Sequence, residues 1–150
     1  MKSLRTVYGV LSIAALALSG CGRSANFEVV PVNGTVFVDE KPISGVALTL
    51  VPQEGVKGRG GYATSAGDGS FELQAEPEVK GVVPGNYRVL FQKYAMPDGS
   101  PVPPGTSSAD ANLINQLPAV YSHPEQSPVY TTIPASDGGG LVFRLSSRPR

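Results

Sequence analysis

The sequence predicts an all-β fold, a seven-stranded antiparallel β-sandwich in residues 32–150, and three observations predict it. Glycine (18) and proline (14) are abundant while charged residues make up only 16% of the 150, a balance that favours turns and strands over helices. Seven short runs alternate apolar and polar side chains with the two-residue period of a pleated strand. Turn-forming residues separate those runs at the short intervals of a sandwich.

The first run is "VNGTVFV" (32–38), with Val32, Gly34, Val36 and Val38 on one face and Asn33, Thr35 and Phe37 on the other. "DEKP" (39–42) is a turn, because an Asp side chain bonds its own backbone two residues on. "GVALTLVP" (45–52) sets Val46, Leu48 and Leu50 on one face and Ala47, Thr49 and Val51 on the other; both faces are largely apolar, as in a central strand. "YATSA" (62–66) and "SFELQ" (70–74) flank Gly67-Asp68-Gly69, a hairpin signal, with Phe71 and Leu73 inward and Glu72 outward. "VPGNYRVLFQK" (83–93) turns at Pro84-Gly85 and lines up Tyr87, Val89 and Phe91. A long loop, 94–128, follows, with prolines at 97, 101, 103 and 104. Loops of that length are uncommon inside a domain and often functional. "SADANLINQL" (108–117) is expected to form a short helix capped by Ser108. "VYTTI" (129–133) and "LVFRLSS" (141–147) are expected to close the domain as a pair across "PASDGGG". The expected core includes Val36, Leu48, Phe71, Tyr87, Val89 and Phe143.

The N-terminus is a targeting segment. Lys2 and Arg5 precede an apolar stretch from Val7 to Gly20, 14 residues long, which is short of the roughly 20 that a bilayer span requires. The stretch ends in small residues beside Cys21, the chain's only cysteine. Leu18-Ser19-Gly20-Cys21 resembles the bacterial lipobox, in which the cysteine takes a diacylglycerol and becomes the new first residue. A thiolate is the side-chain nucleophile suited to that alkylation. The resemblance implies a lipoprotein signal peptide at 1–20, a lipidated tether at 21–31 and the membrane as a partner through Cys21. Two or more acyl chains would hold it, since each buried methylene adds about 0.8 kcal/mol. Gly22, rather than Asp, after the cysteine favours the outer membrane of the bacterial envelope in the lipoprotein sorting pattern.

Residues 32–52, 64–73 and 83–93, with "LPAVYSHPEQSPVYTTIPA" (117–135), together resemble the carboxypeptidase-regulatory-like, transthyretin-like β-sandwich domains of bacterial lipoproteins. The likeness covers residues 32–146 and departs in two places. Glu40 stands where the first turn usually has glycine, so that turn must avoid a positive φ or carry strain. Ala66 stands where the hairpin usually has an acid, which leaves Asp68 without a companion for calcium.

No residue is assigned to catalysis, to a cofactor or to a metal. His123 is the only histidine; Ser122 or Ser127 with Asp110 would complete a triad, but no Gly-x-Ser-x-Gly elbow accompanies them. Related folds that act as hydrolases or ring-cleaving dioxygenases rely on several histidines, which one cannot supply. Zinc lacks Cys and His ligands and calcium lacks clustered acids. Loss of residues 1–20 would leave 130, with ten basic and 12 acidic residues and no basic stripe, which excludes nucleic acid as a partner. The expected role is therefore a non-enzymatic structural, adhesive or ligand-binding module for a protein or glycan. The rival readings are a glycan-binding module using Tyr62, Tyr94, Tyr121 and Tyr130, and a hydrolase using His123. Tyr87 and Tyr121 read as core anchors rather than ligand contacts.

Overall fold

The computed structural model describes residues 28–106, 112–134 and 139–148; Cys21, the signal peptide, the tether as far as residue 27 and Asp110 lie outside the described residues. The strands are β1 (Asn33–Val38), β2 (Lys41–Pro42), β3 (Ala47–Pro52), β4 (Gly61–Thr64), β5 (Ser70–Glu72), β6 (Gln74–Glu76), β7 (Val79–Lys80), β8 (Gly85–Gln92), β9 (Tyr94–Ala95), β10 (Ile114–Asn115), β11 (Tyr130–Ile133) and β12 (Leu141–Leu145), with one helical turn, α1 (Ala119–Ser122). The fold is all-β. Each of the seven expected runs overlaps a strand, and short pairs such as β6–β7 and β9–β10 are added to them.

The strands form two main sheets. One has six strands in the order β11-β8-β3-β4-β6-β7. In the other, β1 carries β12 along one edge and β5 and β2 on successive stretches of the other. Strand β3 is central, between β4 and β8, which explains why both of its faces are apolar.

Three expectations about connection are corrected. β11 and β12 do not pair: β11 adds to β8 in the larger sheet, whereas β12 joins β1 in the smaller one. The β1–β12 pair is parallel, Gly34 opposite Leu141 through Val38 opposite Leu145, so the sheets are not wholly antiparallel. A parallel pair needs a long crossover, and most of the domain lies between these two strands. The Gly67-Asp68-Gly69 hairpin does form, with Ala66 N–H donating to Ser70 C=O at 2.7 Å and Tyr62 paired with Gln74 at its far end, but the middle of its second arm, β5, leaves the sheet. β4 stays in the larger sheet while β5 pairs with β1, which brings Phe71 under Phe143. The expected helix at 108–117 is also replaced: residues 108–111 lie outside the described residues, Ile114–Asn115 is strand β10, and the helical turn comes after Pro118. Proline suits the start of a helix, having no N–H to leave unpaired.

One core joins the sheets. Phe143 stacks on Phe71 of its own sheet at 5.8 Å and meets Phe91 of the opposite sheet edge-on at 5.2 Å. Val36, Leu48, Phe71, Tyr87, Val89 and Phe143 are all buried, as expected. Tyr87 is held at its far end: its hydroxyl donates to Val83 C=O at 2.6 Å, four residues upstream, in the manner of a tyrosine corner. Burial pushes that phenol's pKa up. The two buried serines serve the backbone. Ser65 Oγ donates to Ile43 C=O and accepts from Val46 N–H, and Ser127 Oγ donates to Val89 C=O.

The Asp39-Glu40 turn settles the Glu40 question. Both residues take positive φ, 49° and 62°, and Val38 lies opposite Lys41, which is a two-residue hairpin of the primed type. The side chains offset part of the strain: Asp39 Oδ1 accepts from Ser147 N–H at 3.0 Å, and Glu40 pairs with Arg144.

Candidate functional site

In β8 the odd residues Tyr87, Val89 and Phe91 point into the core, which sends Asn86, Arg88 and Leu90 outward. The register carries this alternation across the sheet. Tyr130 lies opposite Arg88, and Arg88 opposite Val51, in one outward row. Leu90, Thr49 and Tyr62 form the next row, with Gln74 beyond Tyr62. Tyr62 and Tyr130 therefore share the outward face of the six-stranded sheet, 42% and 56% exposed. Their rows are adjacent, and three strand steps separate the strands that carry them, β11 and β4, roughly 14 Å across the sheet.

Arg88 is fixed beside Tyr130. Its guanidinium carbon lies 4.9 Å from the centre of the Tyr130 ring, NH1 donates to Pro124 C=O, and NH2 donates to the Tyr130 hydroxyl. Its Nε is shielded from solvent without a hydrogen-bond partner. Thr132 Oγ1 donates to Asn86 Oδ1 at 2.8 Å in the row beyond. The face thus combines two aromatic rings, a row of hydroxyls and amides, and one positioned cation.

The other two tyrosines are elsewhere. Tyr121 is buried: its ring meets Phe91 at 6.4 Å and its hydroxyl accepts from Ser146 N–H, so α1 ties β8 to the end of β12. Tyr94 is 43% exposed but stands on the separate β9–β10 pair. The 94–128 segment is in part a cover for the core, through Leu117, Tyr121 and Ser127.

Of the triad candidates, Asp110 lies outside the described residues, and neither serine hydroxyl bonds the His123 imidazole. Ser122 Oγ donates to Ala119 C=O and Ser127 Oγ to Val89 C=O. His123 is exposed at the end of α1, and among the described residues its imidazole makes no hydrogen bond. Among the described residues no three His, Cys, Asp or Glu side chains gather as a metal would require. Asp68 caps its own turn: the Ser70 hydroxyl, then its N–H, bond the carboxylate and hold it below the ordinary range, and Asp98 is held in the same way by Ser100. An open groove of about 670 Å³ lies on the smaller sheet between Asn33, Thr35, Ser70 and Val142. Its one carboxylate, Glu72, is engaged by Lys80 at 3.0 Å.

Arg88 is the residue that sequence reasoning missed. Alternation in "NYRVLFQ" marks it as outward, but Pro124 and Tyr130, which position it, lie 36 and 42 residues on. No family model, no curated protein and no solved structure matches this chain.

Proposed function

We propose that the chain is a lipid-anchored lipoprotein of the bacterial envelope whose transthyretin-like, carboxypeptidase-regulatory-like β-sandwich is a non-enzymatic ligand-binding module. Residues 1–20 leave as a signal peptide, Cys21 takes the lipid, and residues 21–31 tether the domain to the outer membrane. The ordered succession of basic residues, apolar stretch, small residues and cysteine supports the anchor. Supporting the binding role is the common outward face of Tyr62 and Tyr130, an arrangement suited to stacking a short oligosaccharide across the sheet.

Two measurements test this. Cys21→Ser is expected to abolish acylation, leaving the signal uncleaved or the protein in the aqueous phase of a detergent partition. Wild-type protein found wholly in the aqueous phase would refute the anchor. For the sheet face, the double variant Tyr62→Ala/Tyr130→Ala is expected to weaken oligosaccharide binding at least tenfold, about 1.4 kcal/mol. Tyr94→Ala, on the separate β9–β10 pair, should leave it unchanged; equal losses from both would move the binding surface elsewhere.

A further inference from the structure

We infer that Arg88 makes this face selective for acidic saccharides, its guanidinium receiving the carboxylate of a uronic acid while Tyr130 and Tyr62 stack the sugar rings. This rests on the glycan-binding reading above and narrows it to one chemical class. Among the described residues Arg144 is paired with Glu40 and Lys80 with Glu72, but no carboxylate is paired with Arg88. A guanidinium has five N–H donors. Here one is used by Pro124 C=O, one by the Tyr130 hydroxyl, and the Nε hydrogen is shielded from solvent. Two remain, one on each terminal nitrogen, and both terminal nitrogens lie in exposed contacts. Each terminal nitrogen therefore keeps one N–H with which to meet a carboxylate oxygen in a charge-assisted hydrogen bond.

The group is also pre-positioned. Two hydrogen bonds and the Tyr130 ring hold the side chain, so binding an anion there forfeits little of the rotamer freedom a free arginine would lose. The surroundings select a sugar over a simple anion. Tyr130 and Tyr62 offer ring faces, Thr49 and Gln74 stand in the Tyr62 row, and Thr132 and Asn86 stand in the row on the other side of Tyr130. The distance between the two rings, roughly three strand steps, asks for a ligand longer than one sugar.

The test is calorimetric titration of the full chain with tetragalacturonate and with its carboxyl-reduced, neutral counterpart. Wild type is expected to bind the acidic tetramer about 10- to 100-fold more tightly than the neutral one, the range of a charge-assisted hydrogen-bonded pair, and the difference should shrink as salt is raised. Arg88→Gln should erase the ratio of acidic to neutral affinity, a readout that stands even where loss of the contact to Tyr130 weakens both tetramers, and Arg88→Lys should restore only part of the ratio. Equal binding of both tetramers by wild type, a comparison that needs no variant, overturns the inference and leaves the glycan reading standing. Binding of neither overturns both. Binding of polyglutamate as tight as that of tetragalacturonate overturns the saccharide class.

Discussion

Phe91→Ala is expected to cost the domain about 4 kcal/mol, within the range of roughly 3–5 for a large aromatic removed from a packed core. Phe91 is fully buried on β8, the strand that pairs with both β3 and β11. Its ring meets Phe143 of the opposite sheet and Tyr121 of α1, so it touches three parts of the fold at once. The space it vacates is bounded by two other rings and by the backbone of a central strand, none of which collapses easily, and the cost of a cavity grows with what fails to collapse. Domains of this size are stable by only about 5–15 kcal/mol, so the variant should unfold at visibly lower urea concentration. Phe37→Ala is the matched control. Phe37 points outward on β1 beneath the Arg144 guanidinium, half-buried, and its loss should cost less than half as much. A Phe91→Ala loss below about 1 kcal/mol would mean that the two sheets do not meet at this ring.

The strands were legible because their pattern is local. In β3, β8 and β12 one alternating set of side chains is wholly apolar, and those side chains are the buried ones: Leu48 and Leu50; Tyr87, Val89 and Phe91; Leu141, Phe143 and Leu145. Which strand lies beside which was not legible. Gly67-Asp68-Gly69 reads correctly as a turn, yet a turn does not say that the next strand stays in the same sheet, and Phe71 completes its packing only beside β1. The parallel register of β1 and β12 joins residues more than a hundred positions apart, and no local signal records it. The candidate face was half legible for the same reason. The sequence offers Tyr62 as a candidate without saying which face of "YATSA" it takes, and the Pro-Gly turn marks Tyr87 as an anchor. That Tyr130 shares a face with Tyr62 follows only from three successive strand registers. α1, four residues long, is too short to show a helical period. The positive φ of Glu40 was readable as a conflict, but its relief by Arg144, 104 residues away, was not.

Gly60→Ala is expected to cost a similar amount, about 3–5 kcal/mol, by a different route, and Gly55→Ala separates the two causes. Gly60 leads into β4 with φ +89°, a conformation that costs an L-residue about 1–2 kcal/mol. A Cβ built there would also sit 2.0 Å from the carbonyl oxygen of Leu50 and 3.1 Å from its carbon. Those atoms belong to β3, which is hydrogen-bonded on both sides, so they have nowhere to retreat. Overpacking of that kind adds roughly 1–3 kcal/mol or more. Gly55 has nearly the same torsion, φ +86°, but nothing lies within 4 Å of its added Cβ. Alanine there should meet only the backbone penalty and cost about 1–2 kcal/mol. The difference between the two variants in urea unfolding then measures the clash alone. Equal losses would show that β4 does not press against Leu50 and that the β3–β4 register is wrong, which would remove Tyr62 from the row it shares with Thr49 and Leu90.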